Sequence, residues 1–207
     1  MRLIHSPACI DEGTAWLAAR DPRWATARQV AGSIPLRRHA DGFPRLLLSI
    51  VSQQVSTAAA DAIWARLEAR GLTDPAAILS ATDEDLRAAG LSRQKARYAR
   101  ALAGTPIDYP ALRTLPTEEV VRRLTAVPGI GPWTAEIYAM FALGHADAFA
   151  PGDLALQEGA RLLFALPDRP TERALRAMAA EWSPWRAVAA RLLWGYYGVV
   201  RSREGVR

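Results

Sequence analysis

An all-α fold is predicted for this chain, on three observations. Strand-like runs of alternating β-branched residues are nearly absent. Apolar segments are instead joined by short Gly- and Pro-containing loops. The punctuation around them is that of helices, with N-cap residues before and glycines after. Half of the 207 residues are apolar, enough for a sizeable core without metal or disulfide staples. We expect one domain of two intimate helical lobes with a cleft between them. The central lobe spans about residues 50–155, and the N- and C-terminal helices form the other. The 52 residues before Gln53 hold two or three helices, too few for an extra N-terminal domain.

In chain order, helices are predicted near 12–20, 22–31, 43–52, 56–70, 75–80, 83–89, 92–104, 117–126, 132–143, 154–165, 171–181 and 185–198. Thr82-Asp83-Glu84-Asp85 and Thr117-Glu118-Glu119-Val120 carry N-cap residues and first-turn acids. Gly71, Gly90 and Gly104 stand where Ala- and Arg-rich runs stop. Ser183-Pro184-Trp185 opens a helix with Pro in its first turn.

Composition narrows the function. No apolar run approaches the ~20 residues of a membrane span, and the first residues lack a signal-peptide core. Cys9 is the single cysteine, which excludes an internal disulfide and any four-cysteine zinc or iron–sulfur site. A reducing cytoplasm is the simplest compartment. The net charge of +5 and pI near 10.0 allow a polyanion partner without demonstrating one. Of 26 basic residues only Lys95 is a lysine, so side-chain amines for covalent catalysis are almost lacking.

The sharpest local signal is Leu124-Thr125-Ala126-Val127-Pro128-Gly129-Ile130-Gly131-Pro132-Trp133-Thr134-Ala135. A helix ends, Pro-Gly-Ile-Gly turns, and Pro132 starts the next helix. Gly129 and Gly131 are free to take φ > 0, Ile130 can plug the core, and amides at the turn suit a phosphate. An ordinary αα-hairpin would read the same way. Ala89-Gly90-Leu91-Ser92-Arg93-Gln94-Lys95-Ala96-Arg97 repeats the layout with a basic helix after it, which is either a second phosphate contact or a solvated face.

Three further features carry chemistry. Asp153 follows Pro151-Gly152 and precedes an apolar helix. It is placed as an N-cap, or as a carboxylate that stabilises a cationic sugar transition state. Ser52-Gln53-Gln54-Val55-Ser56 joins two apolar helices, and its amides either brace the loop or fill a gap in a base stack. Seven tryptophans are many for this length, and most should be core. Trp133 is tied to the hairpin, and Trp194 shares a helical face with Ala187, Ala190 and Arg191; either is able to stack a base.

Taken in order, Leu48 to Ser56, Val127 to Ala135, Pro151-Gly152-Asp153 and Trp182-Ser183-Pro184-Trp185-Arg186 resemble the helix-hairpin-helix DNA glycosylase superfamily. Within it the chain is most similar to the 3-methyladenine DNA glycosylase II branch, from about Phe43 to Tyr197. The resemblance implies a helix-hairpin-helix DNA-binding motif, with Asp153 as the catalytic residue. Gln53, Gln54, Thr125, Val127, Gly129, Ile130, Gly131 and Thr134 would contact DNA, Gln54 as the wedge behind the flipped base. Trp133, Ile137, Leu154 and Trp194 would line the base pocket. The backbone carbonyls of Thr125, Val127 and Ile130 would hold Na+ or K+ when DNA is bound, with no cofactor for catalysis and no iron–sulfur cluster. The implied partner is double-stranded DNA with alkylated bases, met by a nucleoid-associated monomer in the cytoplasm and not at a membrane.

The chain also departs from the branch. Gln54 replaces an apolar wedge, and Ile137 and Leu154 replace two pocket tyrosines. The lyase branch keeps a lysine where this chain has Trp133. The implied activity is therefore a monofunctional glycosylase of base excision repair, acting on 3-methyladenine- and 7-methylguanine-type bases. The alternatives are a bifunctional glycosylase/lyase for oxidised bases and a non-catalytic helical DNA-binding protein.

Overall fold

A computed structural model describes residues 1–204. Among them the helices run α1 (Pro7–Arg20), α2 (Arg23–Ala31), α3 (Phe43–Val51), α4 (Thr57–Ala69), α5 (Pro75–Ser80), α6 (Asp83–Ala88) and α7 (Arg93–Gly104). They continue as α8 (Tyr109–Leu112), α9 (Thr117–Thr125), α10 (Pro132–Tyr138), α11 (Leu154–Leu163), α12 (Glu172–Met178) and α13 (Arg186–Glu204). A π-helical segment, Ala139–Leu143, extends α10, and a 3₁₀ turn, Ala179–Trp182, extends α12. Extended pairing among the described residues is limited to a bridge between Leu3 and His145. The all-α expectation holds.

Local chemistry explains most helix ends. Ser56, Asp74, Ser92, Asp153 and Thr171 each accept an amide of their own first turn, and Thr82 with Asp85 closes a capping box. Four expectations need correction. Thr117 is the first helical residue rather than the cap, which is Pro116. Gly104 is the last residue of α7 rather than its stop, and Thr105 is the C-cap, whereas Gly71 and Gly90 do take the left-handed conformation. The last helix starts at Arg186, after Pro184. The first starts at Pro7, because Pro fits an N1 position at which no amide is needed.

The chain divides into two units, residues 39–138, and Met1–Arg38 with the chain from Ala139 onward. The division falls earlier at both ends than the 50–155 expectation. In the 39–138 unit α3, α5 and α6 pack on α7, and α9 packs on α10. Ile50, Leu67, Ile78, Leu86, Ala99 and Val120 are buried there. In the other unit α13 packs against α1, α2 and α11. Its core is aromatic: Trp24 meets Trp182 and Phe164 edge-on at 5.1 and 5.4 Å between centroids, and Phe164 stacks on Trp182. Trp185 packs against Gly13, where a Cβ would stand 2.8 Å from the indole. Tryptophans 24, 182 and 185 are core, three of the seven rather than the expected majority; Trp16, Trp64 and Trp194 are partly exposed and Trp133 is exposed.

Two tyrosines of the 39–138 unit tie its stability to pH. The Tyr138 hydroxyl accepts the Gly42 amide at 2.8 Å, and burial pushes this phenol up to about 12. Burial also raises Tyr109, with the neighbouring Tyr138 adding to the effect. In the unfolded chain phenols titrate near 10. Above that pH the unfolded state sheds these protons first, so stability present below pH ~10 is lost as pH rises. The melting temperature should fall as pH rises from about 10 to about 12, and Tyr109→Phe should make the fall shallower. An unchanged slope in that variant would contradict the assignment.

Candidate functional site

The hairpin forms where the sequence placed it. Val120 and Leu124 bury the apolar face of α9, and its end turns through Val127–Gly131 into α10. The Ile130 amide donates to the Val127 carbonyl at 3.0 Å, and Ile130, only 4% exposed, plugs the core. Burying such a side chain contributes about 2 kcal/mol. Gly129 has φ +94°, and a Cβ there would stand 2.4 Å from the Tyr98 ring. Gly131 differs from expectation. It is not left-handed, and a Cβ there would meet nothing within 4 Å. Its value is open space beside the first turn of α10, where helical geometry leaves amides without intrahelical acceptors. Thr125 donates its hydroxyl to the Val121 carbonyl at 2.8 Å, and the Thr134 side chain is buried.

The two glutamines take opposite orientations. Gln53 turns inward, and its Nε2 donates to the Gly129 carbonyl at 2.8 Å, fastening the α3–α4 loop to the hairpin. Gln54 is exposed and holds φ +55°, a left-handed conformation rare for a residue with a Cβ. Such strain persists only where the surroundings impose it, and it is common at ligand clamps. The loop is braced further by Lys95, whose Nζ donates to the Val51 carbonyl at 2.7 Å. Partial burial lowers the Lys95 pKa. Sequence reasoning missed both the Lys95 and Tyr98 supports, because nothing local marks which carbonyl or glycine a distant side chain will reach.

Trp133, Thr134 and Ile137 line a groove of about 320 Å³ with Leu48, Ser49 and Arg45. Trp133 is 48% exposed, unusual for an indole. Arg45, half-buried on the groove wall, has its pKa lowered by desolvation; sequence reasoning did not single it out.

Asp153 belongs to the other unit. Its backbone amide closes the Pro151-Gly152 turn onto the Ala150 carbonyl at 3.0 Å, and Gln157 donates to the Pro151 carbonyl at 2.8 Å. Its Oδ1 accepts two donors, the Leu156 amide at 3.0 Å and the Trp194 indole Nε1 at 3.1 Å. Asp153 is therefore an N-cap, as the simpler reading held, and also the anchor of an aromatic ring. Trp194 stacks on Phe141 with centroids 5.8 Å apart. Leu154, next in sequence, is 62% exposed. Of the residues predicted for a base pocket, Trp133 and Ile137 share the groove, while Trp194 is joined to Asp153.

The sequence from 47 to 184, which holds the hairpin, the glutamine loop and Asp153, matches the family model described as HhH-GPD superfamily base excision DNA repair protein. The chain belongs to the HhH-GPD superfamily. Its structure superimposes on that of the DNA-3-methyladenine glycosidase of Bacillus halodurans with a TM-score of 0.83 and 33% identity, over 98% of this chain and 95% of that one. The Schizosaccharomyces pombe 3-methyladenine DNA glycosylase Mag1, solved in complex with abasic DNA, gives 0.75 and 29% over 88% and 95%. The YfjP protein of Bacillus subtilis is 32% identical over 124 residues, 58% of this chain. Against that curated relative the chain spans 43% of its length. In HhH-GPD terms the relatives fall in the 3-methyladenine branch that the sequence motifs indicated.

Proposed function

We propose that this protein is a monofunctional DNA glycosylase that releases alkylated bases from double-stranded DNA and leaves an abasic site. The observation that carries this reading is Asp153, a carboxylate at the start of α11 whose Oδ1 is held by the Leu156 amide and the Trp194 indole. Both donors are uncharged N–H groups, and they fix its orientation. Alkylation at purine N3 or N7 makes the base cationic and a good leaving group, so little acid catalysis is required. What remains is to stabilise an oxocarbenium-like sugar and direct water to it, which one oriented carboxylate can do. The hairpin grips phosphates beside Gly131, and Gln54 fills the space vacated by the flipped base.

The hairpin carbonyls of Thr125, Val127 and Ile130 suit a hard monovalent cation. Val127 accepts one amide, which leaves a second lone pair for the ion. A cation held there would bridge to a phosphate, and the chemistry at the sugar stays with Asp153. The lyase alternative needs an amine at the sugar. Lys95, the sole lysine, is instead bonded to the Val51 carbonyl. No helix of the described residues is long and apolar enough to cross a membrane. We place the enzyme in the cytoplasm, associated with the nucleoid through DNA.

The test is base release from alkylated duplex DNA, analysed by mass. Methylated purines should appear while the strand stays intact until heat or alkali is applied. Strand nicking with a borohydride-trapped adduct would favour the lyase, and binding without any base release would favour the non-catalytic reading.

A further inference from the structure

The basic stretch after Gly90 has no part in the mechanism above, and the fold gives it a definite shape. Gly90 turns left-handed, Leu91 is buried behind it, and the chain passes from α6 into α7. Residues of both helices line a hollow of about 410 Å³, among them Arg87, Leu91, Arg93, Arg97 and Arg100. Asp83 is the one acid among the described lining residues, and it is paired with Arg100. The Arg100 Nη2 also donates to the Ala81 carbonyl at 2.8 Å. Arg87, Arg93 and Arg97 are exposed and have no further carboxylate in the hollow to offset them. Solvated helix faces usually interleave acids with bases, whereas α7 contains no acid at all. Guanidinium groups gathered in one concavity repel one another and focus a field that draws anions in.

The hollow is also continuous with the hairpin. Tyr98 packs against Gly129, and its hydroxyl accepts the Gln94 Nε2 at 2.8 Å. The Arg97 guanidinium lies 5.5 Å from the centre of the Tyr98 ring. Arg93 and Arg97, four residues apart, share one face of α7. A positive strip therefore leaves the hairpin at Tyr98, crosses the exposed face of α7 through Arg97 and Arg93, and reaches Arg87 beyond the Gly90 turn.

We infer that the α6–α7 hollow is a second phosphate site, which holds the backbone of the flanking duplex beyond the phosphates gripped by the hairpin. The inference rests on the glycosylase reading for its ligand, DNA. Guanidinium forks match phosphate oxygens in geometry as well as charge. The spacing also suits a duplex: a helix with its side chains is about 10 Å across, which is about three base pairs at 3.4 Å each. Contacts to the backbone carry no sequence or lesion information. The hollow thus holds the enzyme on DNA of any sequence, while recognition of the lesion is left to the residues around Gln54 and Asp153.

The experiment compares the wild type with the double variant Arg87→Gln/Arg93→Gln, changed at two exposed positions that do not threaten folding. On undamaged duplex at low salt the variant should bind about tenfold more weakly, and its slope of log affinity against log salt should be shallower by about 2. On a duplex with one abasic site, uncharged methylphosphonate linkages placed one at a time should weaken the wild type at two clusters of positions. The cluster farther from the abasic site should vanish in the variant. An unchanged salt slope, or a variant that keeps both clusters, overturns the inference. So does binding of tripolyphosphate that the variant loses while its DNA affinity stays at the wild-type value, which would make the hollow a site for a free anion. If alkylated bases are released while slope and clusters are unchanged in the variant, the glycosylase reading stands and the second site falls. If slope and clusters change as expected but the wild type releases no base, the second site stands and the glycosylase reading falls.

Discussion

Asp153→Asn is expected to reduce single-turnover base release at least a hundredfold while the protein stays folded and bound to DNA. The geometry makes this substitution selective. The Leu156 amide and the Trp194 indole meet the same Oδ1 of Asp153, and an asparagine carbonyl oxygen accepts these two. Asn is as good an N-cap as Asp, so the cap changes stability by only a few tenths of a kcal/mol. The negative charge is what disappears. Such a charge facing a developing sugar cation contributes several kcal/mol, and each ~1.4 kcal/mol is tenfold in rate. Single-turnover excision with a parallel measurement of melting temperature and DNA affinity checks it. Near-normal excision would reduce Asp153 to a cap and reopen the non-catalytic reading.

The second large effect separates the two hairpin glycines. Gly129→Ala should destabilise the protein by about 2–5 kcal/mol, combining left-handed strain with overpacking. Its Cβ would stand 2.4 Å from the Tyr98 ring at φ +94°, and the displaced carbonyl would lose Gln53. Gly131→Ala has no such strain and meets open space, so its stability should stay within about 0.5 kcal/mol of wild type. Its DNA affinity should nevertheless fall, because the added methyl occupies the approach of a phosphate. Wild-type affinity should itself drop steeply with salt as counterions are released. Urea unfolding and binding titrations at two salt concentrations suffice. A stable Gly129→Ala would refute the packing argument, and full affinity in Gly131→Ala would move the phosphate elsewhere.

Neighbouring residues of one type show where sequence reasoning stopped. Gln53 and Gln54 are chemically identical, so their side chains alone cannot tell the loop brace from the exposed amide. The left-handed φ at Gln54 and the distant Gly129 carbonyl make the distinction. Gly129 and Gly131 look alike for the same reason, and Tyr98 separates them. The four-residue α8 was missed because a single turn held by the Asp108 cap has too little periodicity to read. The change from α to π helix at Ala139 left no mark in an unbroken apolar run.

What the amino-acid sequence determined by itself was local or repeated: the helical class, the capped helix starts, the Pro-Gly-Ile-Gly turn, and an aspartate placed to cap α11. These follow from propensity, capping chemistry and apolar spacing, which act over a few residues. Tertiary structure decided the pairings. It brought Trp194 to Asp153 across 41 positions and Lys95 to Val51 across 44. Those outcomes depend on which helix faces pack together, and a side chain's partner across such a separation is set by the whole core rather than by its neighbours in the chain.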